Sequence, residues 1–169
     1  YGNSLTLRRW RHIWLNEGFA TYAEWLWLER QGIRTARQTF RDTVDSFPAH
    51  DPFWRLDLVD PGRDALFDLA VYYRGAMVLQ ALRNRVGDET FFQILRRWAR
   101  TRSGETVTTG DLIALAERVS GEDLDRVFRR WLFAQRKPRT TWSPRVTAGT
   151  DRTSGPVAAF SPHHLPPRR

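Results

Sequence analysis

Apolar residues recur along most of this chain at three- and four-residue intervals, the period of an amphipathic helix. No run of four or more residues alternates cleanly as a half-buried strand does. The pattern predicts an all-α body. A strongly apolar stretch runs from Leu15 to Leu28, and a weaker helix follows around Thr35 to Val44. The next connection holds Pro48, Pro52, Pro61 and Gly62 and is long enough to suggest a functional loop. A helix near Leu69 to Val86 should end at Gly87, with Asp88 capping its successor. That successor carries Phe91, Leu95 and Trp98 at helical spacing and is closed by Gly104. Leu112, Leu115, Ala116 and Val119 form one further stripe. Leu124, Val127, Phe128, Trp131 and Leu132 form the last, beyond Gly121.

This final pair could be taken for a helix-turn-helix reader of DNA. Its second helix, however, places Phe128, Trp131 and Leu132 where polar base-reading side chains would be wanted, so core packing is the better reading. After Ala134 the composition shifts to proline, glycine, serine and arginine with few aliphatic residues. The expected organisation is one helical body over residues 1–134 and a disordered tail over 135–169. His163 and His164 lie in that tail beside Pro162 and read as incidental rather than as a metal tract.

Composition narrows the chemistry. The 169 residues are 41% hydrophobic, 27% charged and 13% aromatic, which excludes a wholly disordered chain or a low-complexity polymer. Without cysteine there is no disulfide and no thiolate ligand, so any metal must rest on His, Asp or Glu. No apolar run approaches a membrane span, and nothing at Tyr1 reads as a signal peptide. The net charge of +8 suggests a nucleic-acid partner until it is divided along the chain. Residues 1–134 hold 20 basic against 18 acidic residues, and residues 135–169 hold 7 against 1. The body is nearly neutral, Lys137 is the only lysine, and no nucleic-acid role is expected.

Two features could carry chemistry. At about 100° per residue the apolar groups from Leu15 to Leu28 surround the whole helix, so it should be buried. Yet it holds Glu17 and Glu24, seven positions apart on one face with Thr21 between them and no Lys or Arg three or four residues away. Buried carboxylates need a cation, a metal or strong donors. The bland alternatives are a first-turn glutamate after Asn16 as N-cap, and for Glu24 a buried ion pair with a distant arginine. The second feature is Tyr72-Tyr73-Arg74-Gly75 at a loop-to-helix junction. A phenol exposed there could donate to a developing oxyanion, or simply pack.

A resemblance now enters. Gly2-Asn3-Ser4, Trp10 and the run Trp14-Leu15-Asn16-Glu17-Gly18-Phe19-Ala20-Thr21-Tyr22 resemble the gluzincin aminopeptidases, the family of aminopeptidase N and leukotriene hydrolase. There a helix bearing His-Glu-x-x-His supplies two zinc ligands, and the glutamate of Leu-Asn-Glu-Gly is the third. With the family's usual Gln-Trp ahead of Tyr1, Glu17 falls on that ligand position. Val71-Tyr72-Tyr73-Arg74-Gly75-Ala76 is similar to a second family segment whose first tyrosine is catalytic, so Tyr72 takes that role. Tyr73 stands where many members have an acid, and His12 where many have Asp. The likeness continues through Trp131 to Phe133.

The resemblance implies the helical C-terminal lobe of a thermolysin-like metallopeptidase catalytic domain. It implies one zinc ion in the complete enzyme, a peptide substrate, and hydrolysis of the N-terminal residue. The two histidines, the general-base glutamate and the amine-gripping glutamate of Gly-x-Met-Glu-Asn are not among these residues. The isolated chain should therefore bind zinc weakly, hydrolyse nothing, and expose a Trp- and Leu-rich surface that favours aggregation or a partner. The rivals are a non-enzymatic helical remnant or scaffold and the DNA-binding helix pair. Relatives are secreted, membrane-anchored or cytoplasmic, so localisation stays open.

Overall fold

A computed structural model describes residues 6–7, 10–101 and 106–140. Helix α1 spans Trp14–Arg30, α2 Ala36–Ser46, α3 Leu69–Val86, α4 Asp88–Thr101, α5 Thr109–Ser120 and α6 Asp125–Phe128. The chain continues from α6 into a π-helical turn, Arg129–Phe133. Two short 3-10 turns, Trp10–His12 and Pro52–Trp54, precede α1 and follow α2. The extended residues are β1, Thr6–Leu7, and β2, Thr106–Val107, which pair in parallel with Thr6 opposite Thr106 and Leu7 opposite Val107. The all-α expectation holds, with this small bridge added.

Local chemistry explains most of the boundaries. Thr35 and Gln38 form a capping box at α2, and Thr108 and Asp111 form another at α5. The Asp68 carboxylate accepts from the backbone N–H of Ala70 to open α3. Gly121 ends α5 in the left-handed region at φ 69°, where a side chain would be strained. Asp88 begins α4, but its carboxylate takes a two-pronged bond from Arg83, from Nε at 2.9 Å and Nη2 at 2.8 Å, rather than the capping role expected of it.

Helix α3 is the spine. Every residue from Arg74 to Arg83 is buried, so the helix is covered on all sides; it packs along α1, and α2, α4 and the π turn also lie against it. Trp14, Tyr22 and Phe91 join the centre of the core, while Phe40 stacks at a tilt on Trp131 near the other end. Phe128 and Leu132 are buried in that core, as expected of packing residues rather than base readers.

Two expectations about α1 need correction. The helix is not buried all round: Ala20, Ala23, Glu24 and Trp27 form one exposed stripe, with Trp27 57% exposed. Asn16 is not an N-cap, because the helix begins two residues earlier and Ile13 takes the cap position without a side-chain bond. Residues 135–140, assigned by composition to the tail, lie along the body. There Lys137 Nζ donates to the Phe47 carbonyl at 2.9 Å and Pro138 is buried. Gly2-Asn3-Ser4, Gly104, His163 and His164 lie outside the described residues. Among the described residues no helix is long and apolar enough to cross a membrane.

Candidate active site

Glu17 lies in the first turn of α1 and is half-buried. Tyr72 lies in the first turn of α3 and is also half-buried. What relates them is the crossing of the two helices. Gly18, next to Glu17, meets Gly75, one turn beyond Tyr72, backbone to backbone. A Cβ on Gly18 would sit 2.7 Å from Gly75 Cα, and one on Gly75 would sit 2.8 Å from Gly18 Cα. Ordinary side chains cannot enter such a contact. The structure therefore brings the carboxylate-bearing turn and the phenol-bearing turn to the same helix crossing, although 55 positions of sequence separate them.

Glu24 behaves differently from Glu17. It is exposed rather than buried, and its electrostatic neighbour is the Tyr73 phenol rather than a distant arginine. Burial, and secondarily the Glu24 charge, push the Tyr73 pKa upward. The reason for the exposure is geometric: Glu24 shares the open stripe of α1 with Ala20, Ala23 and Trp27, and no described element covers that stripe.

The supports of the site come from residues whose roles the sequence did not announce. Arg74 follows the tyrosine pair and is 2% exposed. Its guanidinium donates to the carbonyls of Phe53 at 3.3 Å, Leu56 at 2.7 Å and Ala134 at 2.9 Å. The proline-rich connection, α3 and the chain after the π turn are thus fastened together beside Tyr72. Burial lowers the Arg74 pKa to about 10, while Asp57 and Asp68 oppose that shift. At the other edge, the Trp14 indole N–H donates to Thr109 Oγ1 at 3.0 Å, and His12 Nδ1 lies 3.0 Å from the same hydroxyl. His12, at the position where many family members carry Asp, here joins the start of α1 to the start of α5. A signal for Arg74 was available: an arginine set within the long apolar run of α3 needs buried acceptors.

The metal-ligating set is incomplete within these residues. Glu17 offers an oxygen donor suited to zinc, but it belongs to no group of three potential ligands among the described residues. The one such group, Glu117, Asp123 and Asp125, already spends oxygens on the backbone N–H groups of Leu124 and Asp125 and on Arg129. A four-coordinate zinc site does not fit on the described residues alone.

Comparison with known proteins decides the family. A model described as the peptidase family M1 domain matches residues 1–131. The chain belongs to peptidase family M1. It is 29% identical to aminopeptidase M1-D of Oryza sativa subsp. japonica, over 82% of this chain and 17% of that protein. It is 30% identical to aminopeptidase N of Streptomyces lividans, over 78% of this chain and 17% of that protein. An M1 zinc metallopeptidase crystal structure from Deinococcus radiodurans superposes with a TM-score of 0.70 at 35% identity, covering 82% of this chain and 31% of that one. The chain thus spans only a small part of the length of these M1 relatives, and the part it spans is the helical lobe described above.

Proposed function

We propose that this chain is the helical lobe of an M1 zinc aminopeptidase, in which Glu17 is a zinc ligand and Tyr72 a hydrogen-bond donor to the reacting carbonyl. The observation that carries the reading is the meeting of the Glu17 and Tyr72 turns at the Gly18–Gly75 crossing. Membership of family M1 and relatives named as aminopeptidases and zinc metallopeptidases support it. Zinc, when bound, supplies Lewis-acid polarisation of the peptide carbonyl and of a water molecule. The chain's own residues do the rest. The Glu17 carboxylate gives an oxygen donor held on a rigid helix, and the Tyr72 phenol is the hydrogen-bond donor toward the developing oxyanion. The remaining ligands and the general base come from residues outside this sequence, so the 169 residues alone hydrolyse nothing and hold zinc weakly.

The test begins with the coding DNA ahead of Tyr1. An in-frame His-Glu-x-x-His segment identifies the longer enzyme, and a start codon at the boundary favours the non-enzymatic remnant. In that longer enzyme Glu17→Gln should strip zinc, seen by metal analysis of the purified protein. Tyr72→Phe should retain zinc while kcat falls by roughly a hundredfold or more. A Glu17→Gln enzyme that keeps both zinc and turnover would remove the assignment.

A further inference from the structure

A second site lies away from Glu17 and Tyr72. Between α6 with its π turn on one side and residues 134–139 on the other runs a cleft of about 880 Å³. Its walls carry Arg126, Arg129, Arg130, Arg136, Lys137 and Arg139 against two acids, Asp123 and Asp125. Both acids are engaged locally: Asp123 accepts from the backbone N–H of Asp125, and Asp125 pairs with Arg129. Lys137 is engaged as well, donating to the Phe47 carbonyl and lying over the Trp54 ring at 5.9 Å. Arg126, Arg130, Arg136 and Arg139 have no carboxylate partner among the described residues.

The walls are set before any ligand arrives. Arg74 holds the Ala134 carbonyl, Lys137 ties the outer wall of the cleft to Phe47, and Pro138 is buried. Phe128 and Leu132 root the opposite wall in the core. Four guanidinium groups without a carboxylate partner among the described residues thus stand on a fixed backbone, and planar guanidinium forks match carboxylates two bonds at a time. The volume suits several side chains of one peptide segment. A nucleic-acid strand is a poorer fit, because no aromatic side chain on which bases could stack lines the cleft among the described residues. We propose that this cleft binds an acidic polypeptide segment, one with several Asp or Glu side chains in succession. The proposal stands on these residues whether or not the peptidase reading holds.

Fluorescein-labelled hexaglutamate, titrated at low ionic strength with the purified protein as its gene encodes it and followed by anisotropy, tests it. Hexaglutamine and a thymidine hexanucleotide serve as comparisons. Hexaglutamate should bind and hexaglutamine should not. Changing Arg126, Arg130, Arg136 and Arg139 together to Gln should weaken hexaglutamate binding roughly tenfold or more. A parallel variant with Arg145, Arg152, Arg168 and Arg169 changed to Gln should stay within about threefold of the parent. A third variant leaves the half-buried Arg130 in place and changes only the exposed Arg126, Arg136 and Arg139. It should still lose most of the binding with an unchanged thermal melt. Absence of hexaglutamate binding, a loss produced by the second variant rather than the first, or equal affinity for the hexanucleotide would each overturn the proposal.

Discussion

The two ends of the α1–α3 pair are joined by opposite means. At the site end, Gly18 and Gly75 remove side chains altogether and let backbone meet backbone. At the far end the helices are joined by charge: Arg83 of α3 donates to Glu29 of α1 at 2.9 Å and to Asp88 of α4 at 2.8 Å, and Glu29 also accepts the Ala36 N–H that opens α2. Between them, buried Tyr22 donates to Gln80 at 2.9 Å. A steric contact has one distance and no screening, whereas an ion-pair network adapts its geometry and responds to salt. The residues assigned to chemistry sit at the steric end, where their separation is set most tightly.

Breaking the steric end should have the largest effect. In an ordinary exposed helix Gly→Ala gains about 1 kcal/mol. Here Gly75→Ala should instead cost about 3 kcal/mol, because the new methyl meets Gly18 Cα at 2.8 Å and the Trp14 carbonyl at 3.3 Å, both backbone atoms. Urea unfolding would show the reversed sign, and the loss should be the same at low and high salt. A gain in stability would mean that the crossing is looser than the contact distances require.

At the charged end Arg83→Met should cost less, about 2 kcal/mol, between the limits for surface and fully buried ion pairs. The Arg83 side chain is 10% exposed, but Glu29 is 28% and Asp88 68% exposed, so water recovers part of the loss. Arg83 in turn holds the Asp88 carboxyl below its usual range. Raising NaCl toward about 1 M should lower the parent's melting temperature more than that of the Arg83→Met variant. Equal salt responses would show that the network contributes little.

The smallest change, Tyr22→Phe, removes one neutral hydrogen bond and should cost about 1 kcal/mol near neutral pH. Its pH dependence is more informative. Burial pushes the Tyr22 pKa up from 10.0 to about 12, against the opposing pull of Arg83. The folded chain then holds this proton more tightly than the unfolded one. The parent therefore loses stability as pH rises from 10 to 12, by about 3 kcal/mol in all. Arg74, with its pKa lowered to about 10, acts with the opposite sign above that pH, so the phenol is isolated by subtracting the Tyr22→Phe melting curve from the parent's. Identical slopes above pH 10 would show that the phenol ionises freely.

Much of this architecture was legible in the one-dimensional pattern. The spans of α2 and α3 follow from their periodicity and from Thr35, Asp68 and Gly87, whose chemistry acts within a few residues. What stayed hidden was decided by partners distant in sequence. Glu24 and Glu17 look equivalent along α1, yet one is exposed and the other half-buried, because burial depends on which neighbouring elements pack there. Asp88 has the residue type of a cap, but Arg83 reaches it first. The glycines at 18 and 75 sit inside helices, where local propensity counts against them, and only the crossing explains their presence. The roles proposed for Glu17 and Tyr72 rest on motif likeness. Periodicity alone left both open to bland readings.

Arg74 separates where a loop is from what a loop says. Its hydrogen bonds reach carbonyl oxygens of Phe53, Leu56 and Ala134, and a carbonyl is the one acceptor every amino acid carries. The guanidinium thus reads only the path of the backbone, while Phe53, Trp54 and Leu58 add side-chain packing of their own. Three points of the chain take their address from a single codon, and what that codon fixes is a course of backbone rather than a text of side chains.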